Sequence, residues 1–228
     1  MLGRLSMGWV LLALLTLTGC ATVNQMPYSK QMPKPDLSKP IYLMTITTKN
    51  IYKTSYQPEL LVVNVEKPGA TSSSDRINFK IDKEGATETN SPDTGNSYLV
   101  RMQLPSGDYD IDGATCLNLG ILTRVSFFIP LHEKLKPIAP GIYYLGHVDA
   151  TVRQRVNDEF KAGPEIPLVD QAVGGASTGT FDVVISDRWD QDEAQFEKTY
   201  PALKGANIQK LIMAPFDRDN AQKWWEAN

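Results

Sequence analysis

The chain has 228 residues, a formal net charge of −3 and a hydrophobic share of 42%. That length and balance describe one globular domain, with room for an appendage, and not a disordered chain. A mildly acidic chain has no general attraction for nucleic acid or anionic lipid, so charge alone attaches it to neither.

The first element is a targeting segment. Arg4 supplies a short positive start, Leu5 to Leu17 form an apolar run, and small residues follow. This is the layout of a secretory signal peptide. The run is too short for the roughly 20 apolar residues of a membrane-spanning helix. It closes on Leu17-Thr18-Gly19-Cys20, which resembles the lipobox of bacterial lipoprotein precursors. The resemblance implies cleavage between Gly19 and Cys20, acylation of Cys20, and removal of residues 1–19 as signal peptide. Lipoproteins of this kind carry three acyl chains, and two or more anchor stably. The residue after the cysteine is Ala21, not the Asp that tends to retain such proteins in the inner membrane. The expected location is therefore the cell outer membrane, with the body facing the periplasm.

Residues 20–39 read as the lipidated cysteine and a flexible tether. Pro27, Pro33 and Pro35 stand among Gln, Ser, Lys and Asn, a composition that favours an extended, poorly ordered chain. At full extension it reaches roughly 60 Å. The body is expected over residues 40–228.

From Ile41 the dominant period is two. Strands are expected at 41–48 and 59–66. Ile77, Phe79 and Ile81 alternate with polar residues, as do Tyr98, Val100, Met102 and Leu104 with their neighbours. Ile121, Val125, Phe127 and Ile129 share a face, and so do Phe181, Val183 and Ile185. Such short alternations mark strands with one buried face. Pro68-Gly69, Pro92-Asp93-Thr94-Gly95, Ser106-Gly107 and Pro140-Gly141 supply turns between them. The longest pattern is 142–156, where Gly146 suggests a bulge or a close backbone approach. The loop 157–178 is long enough to be functional or disordered. Asp190 with Glu193 reads as a capping box opening a helix that stops before Pro201. Ile208 to Met213 reads as a last strand. Asp219 with Gln222 repeats the capping pattern ahead of Trp224 and Trp225, which are expected to pack onto the body. These elements predict a mainly β fold, an antiparallel β-sandwich with one or two short C-terminal helices.

Leu104-Pro105-Ser106-Gly107-Asp108-Tyr109 resembles a turn-and-strand motif of transthyretin-like or carboxypeptidase-regulatory-like sandwiches, and Pro140-Gly141-Ile142-Tyr143-Tyr144 is similar in kind. The resemblance implies an Ig-like or transthyretin-like sandwich of typically non-catalytic use. It carries over no site residues.

Several stretches start like chemical motifs and stop short. Gly175-Ala176-Ser177-Thr178-Gly179 has nucleophile-elbow spacing, yet a loop precedes it and a strand follows, the reverse of what an elbow needs. Asp108-x-Asp110-x-Asp112-Gly113 begins like a calcium loop, but the twelfth position is Leu119 instead of Glu. A solvated acidic strand face is the expectation, with a weak edge site as the other reading. His132-Glu133 starts a zinc motif that Lys136 ends. With two histidines and two cysteines, Cys20 and Cys116, no His-rich or Cys-rich metal site forms and no disulfide framework exists. Cys116 is then either a buried small hydrophobe or an intermolecular thiol.

The candidate binding face is the second side of the long strand: Tyr143, His147, Asp149, Arg153 and Arg155. His147 and Asp149, two apart, pair on one face, with the carboxylate raising the imidazole pKa. The arginines suit an acidic ligand or partner. No cofactor or metal is called for, and no catalytic residue is assigned. The expected function is a non-catalytic binding or structural module, attached to the membrane through Cys20 and meeting an envelope protein partner. An envelope hydrolase or a small-molecule or lipid carrier is the alternative.

Overall fold

A computed structural model describes residues 22–120, 123–166 and 169–227. The lipobox, Cys20 and Ile121 lie outside the described residues. In chain order the strands are β1 (Thr22–Gln25), β2 (Ile41–Asn50), β3 (Glu59–Glu66), β4 (Arg76–Lys80), β5 (Ala86–Glu88), β6 (Asn96–Gln103) and β7 (Tyr109–Leu119). Then come β8 (Arg124–Leu135), β9 (Ile142–Gln154), β10 (Gly179–Ser186), helix α1 (Trp189–Thr199), β11 (Ile208–Lys210) and helix α2 (Arg218–Ala227).

The strands form two sheets, ordered β1-β4-β3-β7-β8 and β10-β9-β2-β6-β5, with β11 added beside β9. Most pairings are antiparallel, but β1–β4, β2–β9 and β11–β9 are parallel. The apolar residues of the alternating runs face one another between the sheets. Val63, Phe79, Ile111, Cys116 and Phe127 come from the first sheet, and Met44, Tyr98, Val100, Val148 and Phe181 from the second. Cys116 is wholly buried, and burial pushes its thiol well above the usual range. A second cluster lies outside the second sheet, where α1 lays Trp189 and Phe196 on Ile41, Leu43, Leu99 and Tyr144. That cover makes β2 almost wholly buried, since a central strand with both faces packed has no solvent side.

Two local readings are corrected. The helix starts lie elsewhere: α1 opens on Arg188 without a side-chain cap, just after Asp187, whose Oδ1 accepts from the Trp189 N–H at 3.1 Å, and Asp217 Oδ1 accepts from the Asn220 N–H at 2.9 Å ahead of α2. Asp190 sits inside the first turn of α1, where its charge still favours the helix N-terminus. Gln222 donates to the Asp158 carbonyl at 2.8 Å instead of folding back onto a cap.

Of the stretch 20–39 read as a tether, the described residues 22–39 do not run free. Within them β1 adds to the first sheet beside β4, and Met26 and Ser29 are buried. The chain thus crosses from the first sheet to the second, where Arg101 Nε donates to the Pro27 carbonyl at 2.8 Å. Arg101 is fully buried. It pairs with Asp82, donates to the Leu99 carbonyl and Tyr200 hydroxyl, and lies 3.7 Å from the Tyr200 ring centre. Tyr200 in turn donates to Asp82 at 3.3 Å. A four-residue strand is too short to show alternation, and its partners are distant in sequence.

The long alternation 142–156 changes phase. Leu43 pairs with Tyr144 and Thr45 with His147, so Leu145 and Gly146 together oppose Met44. Gly146 has φ +115°, a bulge conformation that suits glycine. Before the bulge, Tyr143 and Leu145 face the inter-sheet core and Tyr144 faces α1. After it, Val148, Ala150 and Val152 face the core.

Candidate functional site

The bulge separates the residues predicted to share a face. Tyr143 is buried in the core, and its hydroxyl donates to the Ala139 carbonyl at 3.0 Å. His147 points the other way, under α1, and is only 8% exposed. Its Nδ1 is 3.1 Å from both carboxylate oxygens of Asp192. Asp192 also accepts from the Tyr144 hydroxyl at 2.6 Å. On the other side His147 Nε2 lies 3.0 Å from Thr47 Oγ1 and 3.5 Å from Asp149 Oδ1. Asp149 is held in addition by Arg188.

Carboxylate, imidazole and hydroxyl in a row are the parts of an acyl-transfer relay. The charge state decides against that use. Burial works against a charged imidazole here, but the contacts with Asp149 and Asp192 outweigh it and hold the pKa up at about 9. Burial likewise pushes Asp149 and Asp192 upward, and His147 outweighs it, leaving both below the usual carboxylate range. At neutral pH both ring nitrogens are therefore donors. Thr47 accepts from Nε2–H at 3.0 Å and its own hydroxyl donates to Ser97 Oγ at 3.3 Å. An imidazolium cannot take the threonine proton, so the hydroxyl is not activated. The cluster is an ionic pin between α1 and the sheet.

Arg153 and Arg155 both have partners within the fold. Arg153 binds Glu159 at 2.8 and 2.6 Å and Asp182 at 2.8 Å. Arg218 of α2 reaches the same Asp182 at 2.6 Å and Glu159 at 3.3 Å. The Arg153 pairing, followed by the Val156 N–H and Arg218, holds the Glu159 carboxyl down at about 2. Arg155 donates to the Glu159 carbonyl and lies over the Trp225 ring at 5.4 Å. The arginines thus stitch β9, the start of the 157–178 loop and α2 together. The charge of Arg153 is met by Glu159 and Asp182, whereas Arg155 meets a backbone carbonyl and the Trp225 ring.

The remaining motifs also resolve. Gly179 pairs with Gln154 and Ser186 with His147, so Ser177 stands beyond one end of β10 and His147 beside the other. Seven strand residues separate those pairs, roughly 23 Å, and Ser177 and His147 do not meet. Asp112 lies on β7, where burial first, then Glu66 and Asp110, push its carboxyl up to about 6. Asp112 sits opposite a bulge in β8 where His132 takes φ +50°. Burial lowers the His132 pKa, and its ring packs on Trp224 at 5.0 Å. Among the described residues no group of three His, Cys, Asp or Glu side chains is placed to hold a metal ion.

One concave site was not anticipated. A cavity of about 570 Å³ lies on the outer face of the first sheet, between β8, the segment 160–165 and α2. That volume is in the range of small-molecule sites. Its floor is Thr115 of β7 with Ser126, Phe127, Phe128 and Pro130 of β8. Its walls are Phe160, Lys161, Gly163, Pro164 and Glu165 on one side and Ala221, Trp224 and Trp225 on the other. The segment is pinned by the Phe128 N–H donating to the Ala162 carbonyl and the Ala162 N–H to the Gly179 carbonyl, both at 2.8 Å. A Cβ on Gly163 would come within 2.1 Å of the Ser126 carbonyl, so only glycine lets the segment lie this close. Phe128 stacks on Trp224 with ring centres 5.2 Å apart. Lys161 Nζ lies 5.6 Å from the Trp225 ring centre and pairs with Glu165. The signal in the sequence was Phe128, an aromatic ring on the outward phase of β8, together with the tryptophan pair.

No protein-family model matches the chain, and neither curated proteins nor solved structures give a match.

Proposed function

We propose that the protein is a lipid-anchored outer-membrane lipoprotein facing the periplasm, whose body is a non-catalytic binding module with the α2 cavity as its binding surface. The observation that carries the binding part is the cavity itself: aromatic walls, two hydroxyls, one lysine and one carboxylate. The His147 cluster stands elsewhere, with its imidazole pKa held up by Asp149 and Asp192. The lipobox supports the anchor. An acylated Cys20 stands one residue ahead of Ala21 and two ahead of β1, so the anchor holds the body close against the headgroups instead of at the end of a long tether. Among the described residues no helix is long and apolar enough to cross a membrane.

The test is membrane fractionation of cells expressing the wild type and Cys20→Ala, with native mass spectrometry of the released body. The wild type should sediment with outer membrane, and the variant should appear soluble or unprocessed. The released body should carry a non-covalent adduct that is lost on unfolding. A mature-length variant that stays membrane-bound refutes the anchor; a body that never carries an adduct refutes the binding module.

A further inference from the structure

We infer that the α2 cavity takes a long-chain carboxylate, a free fatty acid, with its alkyl chain among the aromatic rings and its carboxylate on Lys161 in place of Glu165. The inference rests on the proposed binding module and names its ligand class. Phe128, Phe160, Trp224 and Trp225 make most of the lining apolar, and the polar groups inside are the hydroxyls of Thr115 and Ser126 on the floor. A ligand body with many hydrogen-bonding groups would lose them to desolvation here, whereas an alkyl chain loses nothing.

The polar end is set by charge. Lys161 is held in place: its side chain is 17% exposed and its ammonium faces the Trp225 ring. Arg155 lies over the same ring. The carboxylate that answers them in the lining is Glu165, whose side chain is 70% exposed on a long, freely rotating stem. An ion pair with so exposed a carboxylate is worth little. The other nearby carboxylates, Glu159 and Asp182, are taken by Arg153 and Arg218. Glu165 is thus a weakly held placeholder. A carboxylate tethered to a buried alkyl chain displaces it, because the chain supplies the binding energy and raises the effective concentration of the head at Lys161. An alcohol of the same chain length gains the burial without the ion pair.

The experiment titrates the mature chain, residues 20–228 carrying Cys20→Ala so that no detergent is needed, with dodecanoate and with dodecanol. Tryptophan fluorescence and calorimetry follow binding, and circular dichroism checks each variant's fold. One dodecanoate should bind per chain, several-fold tighter than dodecanol. Lys161→Gln should remove that preference while leaving dodecanol unchanged. Glu165→Gln should tighten dodecanoate several-fold by removing the competitor. Ser126→Phe, or Thr115→Phe as a second filling variant, should abolish binding of both. Equal affinity for the two probes, or a Lys161→Gln chain that keeps the preference, overturns the carboxylate assignment. Failure of both probes to bind overturns the binding module along with it.

Discussion

His147→Gln tests whether the imidazole under α1 is a structural cation or a relay base. An imidazole held at about 9 against its ordinary 6.5 corresponds to about 3 kcal/mol of preferential stabilisation of the charged form. The Asp149 side of the cluster is open, with its carboxylate side chain 28% exposed and shared with Arg188. Solvent screening on that side reduces the usable part to about 1.5–2 kcal/mol. Because the folded pKa lies above the unfolded one, this stability is fully present below pH 6.5 and is lost as pH rises through 9. Asp149 and Asp192 act in the opposite sense: their folded pKa values are lowered, so their share is present above the ordinary carboxyl range and is lost in acid. The pin is strongest between about pH 5 and 7. Urea unfolding of wild type and variant should therefore differ by about 2–3 kcal/mol at pH 6 and by about 1.5–2 kcal/mol less at pH 10. Taking the difference between the two chains cancels the titration of the other groups. The chain has two histidines, and their shifts run in opposite directions, so an NMR titration separates the His147 resonance. A pH-independent stability difference, with His147 titrating near 6.5, would refute the imidazolium and return Thr47 to consideration as a nucleophile.

Arg101→Met leaves Asp82 and the Pro27 carbonyl without their buried donor. It should cost about 3–5 kcal/mol and open residues 22–39 to limited proteolysis; a protected N-terminal segment in a destabilised variant would show that β1 pairing alone holds it. Gly146→Ala places a Cβ 3.1 Å from the Ser186 carbonyl at a φ of +115°. It should cost about 1–3 kcal/mol and lower the melting temperature, and an unchanged melting point would mean that the bulge is not where the strand changes phase.

The strands that alternate cleanly were legible. Residues 59–66, the runs around Ile77–Phe79 and Phe181–Ile185, and the core face of Val125, Phe127 and Ile129 fall where their period places them. So does the end of α1 before Pro201, because proline cannot continue a helix. The candidate face was legible only in part. The contact between His147 and Asp149 followed from their spacing, but their burial did not, because α1 covers them from forty residues away and supplies Asp192. Tyr143 was misplaced because one bulge residue reverses every later side chain.

Local alternation, turn residues and the apolar leader are properties of neighbouring positions, and the chain displays them without folding. They set the mainly β class, the two-sheet core and the expectation of an anchor. Which arginine meets which carboxylate, where the N-terminal segment lands and which hollow stays unfilled are decided by residues far apart in sequence. Arg153 has Glu159 close by in the chain, but Asp182 and Arg218 reach the same network only through the pairing of β9 with β10 and the docking of α2. The cavity lies between a segment that Gly163 lets approach β8 and the helix α2, whose Trp224 stacks on Phe128. No single stretch of sequence contains that gap, since a cavity is the space that several separately placed elements leave between them.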